Sequence, residues 1–403
     1  MLKFAFRNLS RHKGRTALTL AAIAFGVVSL VLSAGFVDDI FVQLRENTVQ
    51  SGLGHAQIAK EGYFKFSARQ PYAYMIDKPE AVIAQVKRLP QVKEAMSRLN
   101  VNGTLNNGKA ELPVRGEGVE PDKERFVGGF ISLIEGRHLN ADDVYAAELG
   151  EGLARSLGIK PGSRVTLLTS TPQGAVNTVE LQVVGVFRSF SIEYDARAMR
   201  MPLAAAQAAL NTHAVHTVVV ALNDTSETDA AINVMRATFS GQPLVVKSWE
   251  ELADFYRKAV DLYRAQFGVL QLIILVMVAL SVSNSVNISI FERTGEVGTL
   301  LALGNRRREV FRLLVLESAV SGVLGGLIGV VLGIVLAFLI SAVGIPMPPP
   351  PNSSQGYLAA VRVVPEQVAI AMSIGLVATI VASLLPASRV TRLPVVEALR
   401  RAM

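Results

Sequence analysis

The densest group of functional side chains lies in one segment, FERTGEVGTLLALGNRRREVFRLLVLES, from Phe291 to Ser318. Glu292 and Glu296 stand four residues apart. Val297, Leu300, Leu301 and Leu303 follow at helical spacing, Gly304 ends the run, and a second amphipathic run starts near Arg306. Two carboxylates and an apolar face at that spacing make a short amphipathic helix, a turn and a re-entry helix. The chemistry of such an element is docking, with a plain basic hairpin as the alternative. A second polar group, Ser281, Ser283, Asn284, Ser285 and Asn287, interrupts apolar sequence. Hydroxyls and amides there call for a protein partner or a water-lined path. Groups that make or break bonds are sparse. There is no cysteine, which excludes disulfides, thiolate nucleophiles and Cys-ligated zinc or iron–sulfur sites. There is no GxxxxGK followed by Ser or Thr, hence no phosphate-binding loop, and no HExxH. The histidines, His12, His55, His138, His213 and His216, are scattered. His213 and His216 alone are too few for a metal site, and no Ser-His-Asp arrangement can be argued. The chain reads as non-catalytic.

The elements that must position these groups follow from hydropathy. Half of the 403 residues are hydrophobic, 18% are charged and only 6% are aromatic, so the apolar excess is aliphatic. Uncharged blocks cover Thr16–Val37, Ala265–Phe291, Ser318–Val361 and Gln367–Ser388. About 20 apolar residues cross a bilayer. The third block holds PMPPPPNSSQG at 346–356, which no lipid-facing helix tolerates, so it counts as one crossing. The expected layout is a leader 1–15, spans 16–37, 265–290, 319–343 and 367–388, an external region 38–264, a loop 291–318, an external loop 344–366 and a tail 389–403. The first block exceeds a signal-peptide apolar core and reads as an uncleaved span. Lys3, Arg7, Arg11, Lys13 and Arg15, then Arg293, Arg306, Arg307, Arg308 and Arg312, then Arg389, Arg392, Arg400 and Arg401 all fall on one side, which is cytoplasmic. The external region is near neutral, with 25 basic and 27 acidic residues. The net charge of +7 therefore lines the inner leaflet, and nucleic acid is not an expected partner.

The external region is long enough for its own α+β core. Alternation predicts strands at His55–Ile58, Arg164–Leu168, Val179–Val186 and His216–Ala221, and helices at Pro79–Lys87, Asp142–Leu157 and Thr228–Phe239. Residues 248–265 predict one long helix running into span two, with Ser248 and Glu251 as a capping box. Residues 38–50 continue span one in the same way. Gly322/Gly326 and Gly325/Gly329/Gly333 form small-residue ridges in span three, which predicts close helix contact. The fold class is thus an α-helical polytopic membrane protein with four transmembrane helices plus a large α+β extracytoplasmic domain between helices one and two.

With the leader LKFAFRNLSRHKGR, the segment from Glu292 to Ser318 and the tail LPASRVTRLPVVEALR at 385–400, the chain resembles the ABC-transporter permeases grouped with the macrolide exporter, the lipoprotein-releasing permeases and the cell-division permease. GLGHAQI at 52–58 and the four-span layout are most similar to the lipoprotein-releasing type. The tail departs from the usual ending by one extra residue, Val396. The resemblance implies a bacterial inner-membrane subunit that engages a cytoplasmic ABC ATPase dimer together with a second permease copy or a paralogue. A periplasmic or outer-membrane adaptor or a lipoprotein is a further implied partner. ATP and Mg would sit on the ATPase and no cofactor on this chain, whose 15-residue leader leaves no room for a fused ATPase. Glu292, Arg293, Thr294, Gly295, Glu296, Val297, Leu300, Leu303 and Gly304 would form the coupling helix. ATP closure would then move stalks and external domain, which is mechanotransmission. Lipoprotein, lipid or other amphiphilic cargo would need an opening near the outer leaflet, for which Val27, Val31, Phe36, Ile40, Phe41, Leu270 and Ile274 are the candidate lining. The competing expectation is a module that regulates a periplasmic partner without moving cargo.

Overall fold

The computed structural model describes residues 13–67, 69–129, 131–189, 191–349 and 356–394. The leader before residue 13, the tail from residue 395 and residues 350–355 of the Pro-rich stretch lie outside the described residues. The chain forms two compact units, one of residues 43–259 with 348–357 and one of the remainder. Among the described residues, four helices are long and apolar enough to cross a membrane. Helix α1 is Lys13–Thr48, α2 is Asp254–Phe291, α4 is Arg307–Val343 and α5 is Pro365–Arg392, with the short α3, Thr294–Ala302, between α2 and α4. The large α+β region lies between α1 and α2. The protein is therefore a polytopic inner-membrane protein with a periplasmic α+β domain flanked by two spanning helices.

The helices depart from the expected boundaries in informative ways. Helix α1 has 36 residues, a length of about 54 Å against a hydrocarbon core of about 30 Å. The segment from 248 is not one helix. Ser248 and Glu251 do form the expected capping box, but over a single turn, Trp249–Leu252. Ala253 then leaves helical geometry (φ −94°, ψ 68°) and α2 starts at Asp254. Trp249 is buried and packs edge-on against Tyr256 at 4.7 Å, so the turn is pinned by its own anchor. Helix α4 begins at Arg307, where the expected re-entry run starts, and continues unbroken through the third span, so it carries Glu317 within its length.

Within the helical unit, α4 is the hub. A side chain at Gly322 would meet Leu376 and Thr379 of α5, and one at Gly326 would meet Met372. Gly325, Gly329 and Gly333 face the other way, onto Ile23, Ala24, Val27 and Val31 of α1. The two predicted ridges thus pack against two different helices, and the missing Cβ atoms let the backbones approach. At the outer end, the Ala360 N–H donates to Asp39 Oδ2 at 2.8 Å, and Arg362 pairs with Asp38 at 3.3 Å. At the inner end, Val282, Val286 and Ile290 of α2, Val297 of α3, Val310 and Leu314 of α4, and Ala387 and Val390 of α5 share one apolar cluster.

The external unit is built on ten strands: β1 Ala56–Lys60, β2 Val92–Asn106, β3 Glu111–Val119, β4 Ser132–Gly136, β5 Ala146–Gly150, β6 Arg164–Ser170, β7 Val176–Arg188, β8 Ala198–Pro202, β9 Thr217–Leu222 and β10 Leu244–Ser248. They pair in the order β10-β1-β9-β2-β3-β8-β5-β7-β4, with β6 bridging β2 and β7. The 15-residue β2 joins two cores, pairing with β9 through its first half and with β3 and β6 through its second. One core collects β1, β9 and β10 with helices Pro79–Val86 and Thr228–Thr238. The other collects the second half of β2 with β5–β8 and helices Glu151–Leu157 and Leu203–Leu210. The helix expected over Asp142–Leu157 is corrected: Ala146–Gly150 is a fully buried strand between β7 and β8, and only Glu151–Leu157 is helical. Ala, Glu and Leu favour helix in isolation, but burial on both faces of a sheet overrides that preference.

Two histidines are structural. The Asn100 N–H donates to His216 Nδ1 at 3.0 Å, so Nε2 carries the proton and donates to Pro71 O at 3.0 Å. In the same way, the Leu222 N–H donates to His55 Nδ1, and Nε2–H donates to Thr225, whose hydroxyl donates to Glu46 Oε2. Burial pushes His216 from 6.5 down to about 4 and also lowers His55, which Glu46 partly opposes. The unfolded chain then binds more protons below pH 6.5, so stability present above 6.5 is lost as pH falls toward 4. From His216 alone that loss is about 3 kcal/mol. We expect the protection of the Asn100 amide against hydrogen exchange, corrected for intrinsic rates, to fall by more than tenfold between pH 6.5 and 4.

Candidate coupling site

The segment between α2 and α4 is held by one buried ion pair. Arg293 turns inward, and its guanidinium contacts both carboxylate oxygens of Glu317 on α4, the Nη2–Oε1 distance being 3.4 Å. Its Nε also donates to Glu296 Oε2 at 2.9 Å. The side chain of Glu317 is 6% exposed and that of Arg293 16%, so each charge depends on the other for compensation. Thr294 closes the start of α3 by donating to Phe291 O at 2.5 Å. Thr294, Val297 and Gly298 face inward. Helix α3 ends in a turn in which Gly304 adopts φ +93°, a left-handed conformation that a side chain would strain although no atom crowds it. Asn305 Nδ2 donates back to Leu300 O at 3.0 Å, and Glu309 accepts from the Arg306 N–H at the start of α4.

The nine residues predicted for this site therefore separate into two groups. Arg293, Thr294 and Val297 anchor the segment from within, and Gly295 and Leu300 are half-buried. Glu292, Glu296, Leu303 and Gly304 are exposed. Residues 302–309 form an unbroken exposed run in which Leu303, at 76% exposure, is followed by Arg306, Arg307 and Arg308. The surface offered to a partner is this turn, an apolar residue beside three guanidinium groups. Glu317 escaped sequence reasoning because it lies one residue before the uncharged block. The amphipathic run from Arg306 into the third span is the signal that puts it on α4.

Of the seven residues predicted to line a cargo opening, Val27, Val31 and Ile274 share one apolar cluster with Leu30 and Ala371. Val27 and Val31 are buried against Gly329, Gly333 and Gly375, in the interior of the helical unit. Ile40 is buried, Phe36 and Ile274 are half-buried, and Leu270 is 52% exposed. Phe41 packs edge-on against Phe267 at 6.3 Å, with the Arg264 guanidinium 5.9 Å from its ring. An apolar groove of about 760 Å³ lies between α1 and α4, lined by residues such as Ala21, Phe25, Leu332 and Leu336, and includes none of the seven.

The external unit contains a buried chain of charges that sequence reasoning missed. Arg98 on β2 contacts the Gly52 carbonyl and Glu124, Glu124 pairs with Arg200 on β8, and Arg200 lies 3.8 Å from Glu148 on β5. Glu148 accepts from His138 Nδ1 at 2.9 Å. Burial would push the Glu124 carboxyl up, yet Arg200 and Arg98 together hold it below its ordinary value. The hydrogen bond to Glu148 raises His138. The chain ties the turn after α1 to the middle of the sheet and separates a cleft of about 400 Å³ beside Glu148 from one of about 490 Å³ beside Arg98. Among the described residues no cluster of three or more His, Cys, Asp or Glu is placed to hold a metal.

Comparison with known proteins agrees with this architecture. Residues 16–238 match the MacB-like periplasmic core domain, and residues 268–395 match the FtsX-like permease C-terminal region. The macrolide export ATP-binding/permease protein MacB of Acinetobacter baylyi is 23% identical over 349 residues, covering 80% of this chain and 50% of that protein. An uncharacterized ABC transporter permease, MJ1507, of Methanocaldococcus jannaschii is 22% identical, covering 81% of this chain and 80% of that one. The lipoprotein-releasing system transmembrane protein LolC of Neisseria meningitidis is 24% identical, covering 77% and 74%. The chain spans about half the length of the macrolide-export relatives it matches. With more than half of its residues matching the periplasmic core domain and the C-terminal helices matching the permease region, the chain belongs to the MacB/FtsX-like superfamily of ABC-transporter permeases.

Proposed function

We propose that this chain is the membrane subunit of an ATP-driven complex in which a separate ABC ATPase, holding ATP and Mg, docks on the exposed turn at residues 302–309. The observation that carries the proposal is the combination of an outward Leu303–Arg308 turn with an inward Arg293–Glu317 clamp. A force applied to the turn enters α4 through a buried ion pair instead of dissipating in a flexible loop. From α4 it passes to α1 and α5 through the glycine contacts. Lipoproteins, lipids or other amphiphiles handled on the periplasmic side are the proposed cargo, in keeping with the similarity to a lipoprotein-releasing protein. The enclosure of Val27 and Val31 favours a second reading, in which the same movements regulate a periplasmic partner and no cargo enters between the helices.

Two outcomes are expected. Full-length tagged chain purified in mild detergent should bring down an ATPase at equal copy number, and Leu303→Glu should lower that recovery roughly tenfold or more, as for a central interface residue. Normal recovery with this variant would remove the turn from the interface. Glu317→Ala leaves Arg293 buried without its main partner and should destabilise the helical unit by about 3 kcal/mol, with Glu317→Gln milder. A thermal unfolding midpoint measured in detergent checks both.

A further inference from the structure

The cleft of about 490 Å³ beside Arg98 has a volume typical of small-ligand pockets. Strand register builds its floor. Arg98 and Asn100 of β2 are two apart and share one face, while Leu99 between them is buried in the core on the other. Arg98 stands opposite Thr217 of β9, and Asn100 stands opposite Glu117 of β3. These residues line the cleft together with Tyr194, whose hydroxyl bonds to Glu117. The facing wall is apolar. It is made by Leu44 of α1, Leu53 in the turn after it, and Leu252 and Tyr256 on either side of the break at Ala253. Arg98 is 5% exposed. Its terminal nitrogens are taken by the Gly52 carbonyl and Glu124. Its Nε has no acceptor among the described residues and stands 4.0 Å from Glu117 Oε2, too far for a hydrogen bond. The Glu117 side chain is 20% exposed, so a small turn of its carboxylate admits a third atom between the two.

We propose that this cleft binds a neutral, hydroxyl-rich amphiphile, with a sugar-like ring over Arg98, Asn100 and Glu117 and an apolar tail along Leu44, Leu53 and Leu252. The class follows from the gap between Arg98 and Glu117. The group that fills it must accept from Nε–H and donate to a carboxylate, and a hydroxyl does both. A carboxylate or phosphate has no proton to give Glu117 and would be repelled by Glu193, which also lines the cleft. An ammonium group has no lone pair for Nε–H and would face the guanidinium. The Asn100 amide and the Thr217 and Tyr194 hydroxyls extend the polar floor, which suits several hydroxyls on one ring better than a single amide. The C–H face of such a ring matches the apolar body of Tyr256. A ligand held there touches the end of α1, the sheet and both sides of the break before α2. The inference goes beyond ATPase docking and stands without it.

The chain carries its own reporter. Trp249 is its single tryptophan and packs at 4.7 Å on Tyr256, so its emission reads the cleft. Full-length protein in lipid nanodiscs with a tryptophan-free scaffold is titrated with hexyl glucoside, hexyltrimethylammonium, hexanoate and free glucose. Hexyl glucoside should give a saturable change, and the other three should bind roughly tenfold more weakly or worse. This comparison needs no substitution. Glu117→Ala should weaken hexyl glucoside roughly tenfold, while Glu117→Gln, which keeps an acceptor, should cost roughly threefold or less. Adding a glucosyl diacylglycerol to the nanodisc separates the sources: competition with hexyl glucoside marks a membrane glycolipid, and its absence a soluble glycoside. A response that fails to saturate, one equal for all head groups, a stronger response to the ammonium or carboxylate probe, or none at all would overturn the inference. Each of those results leaves ATPase docking at the Leu303–Arg308 turn untouched.

Discussion

The arrangement of the cytoplasmic side depends on the buried contact between Arg293 and Glu317. Neither charge can be taken from water alone, since an unpaired buried ion is unfavourable by several kcal/mol. Once Glu317 sits on the inner face of α4, Arg293 must point inward to meet it, and the residues that follow are fixed in turn. Val297 is brought against Val310 and Leu314, α3 lies along α4, and the chain can return only through a tight turn in which Gly304 takes a left-handed conformation. The consequence is an outward display of Leu303 and three arginines on a rigid base. The charge pair thus separates the residues that hold the segment from those that can meet a partner.

A second constraint sets where movement can go. Helix α4 touches α1 through Gly325, Gly329 and Gly333, and α5 through Gly322 and Gly326. Contacts made at this distance have no slack, because each lost Cβ is replaced by the backbone or branched side chain of the neighbour. Helix α1 continues without a break to Thr48, and in the external unit Arg98 grips the Gly52 carbonyl just beyond its end. Helix α2 is different. It is preceded by the break at Ala253, and most of its membrane-facing surface is not covered by its own chain. The two helices that lead to the external region therefore differ, one packed into the chain's own bundle and one largely uncovered by it.

Much of this was legible in the sequence because hydropathy and glycine spacing are local properties. Uncharged blocks located the four helices, and the two glycine ridges were visible as i,i+4 patterns. The capping box at Ser248 and Glu251 was equally local. What escaped reading was long-range. Ala146–Gly150 has helix-favouring residues and becomes a strand only because β7 and β8 enclose it. Arg98, Glu124, Arg200 and Glu148 come from distant segments, so no spacing announces their chain of contacts. Val27 and Val31 looked suited to meet cargo because they are apolar, but apolarity does not tell a lining residue from a packing residue. Arg293 was grouped with the coupling residues by the family resemblance, and only the position of Glu317 shows that its side chain turns to the interior.

The central claim is that the Leu303–Arg308 turn is where an ATPase engages the chain. The most direct measurement places a photoactivatable crosslinker on Leu303→Cys in the full-length protein and identifies the adduct in native membranes by mass spectrometry. The account predicts one dominant adduct, to an ATP-binding cassette subunit, and none to that subunit from a crosslinker on Asp142→Cys in the external unit. An efficient crosslinker at position 303 that captures only lipid or no ATPase would contradict it.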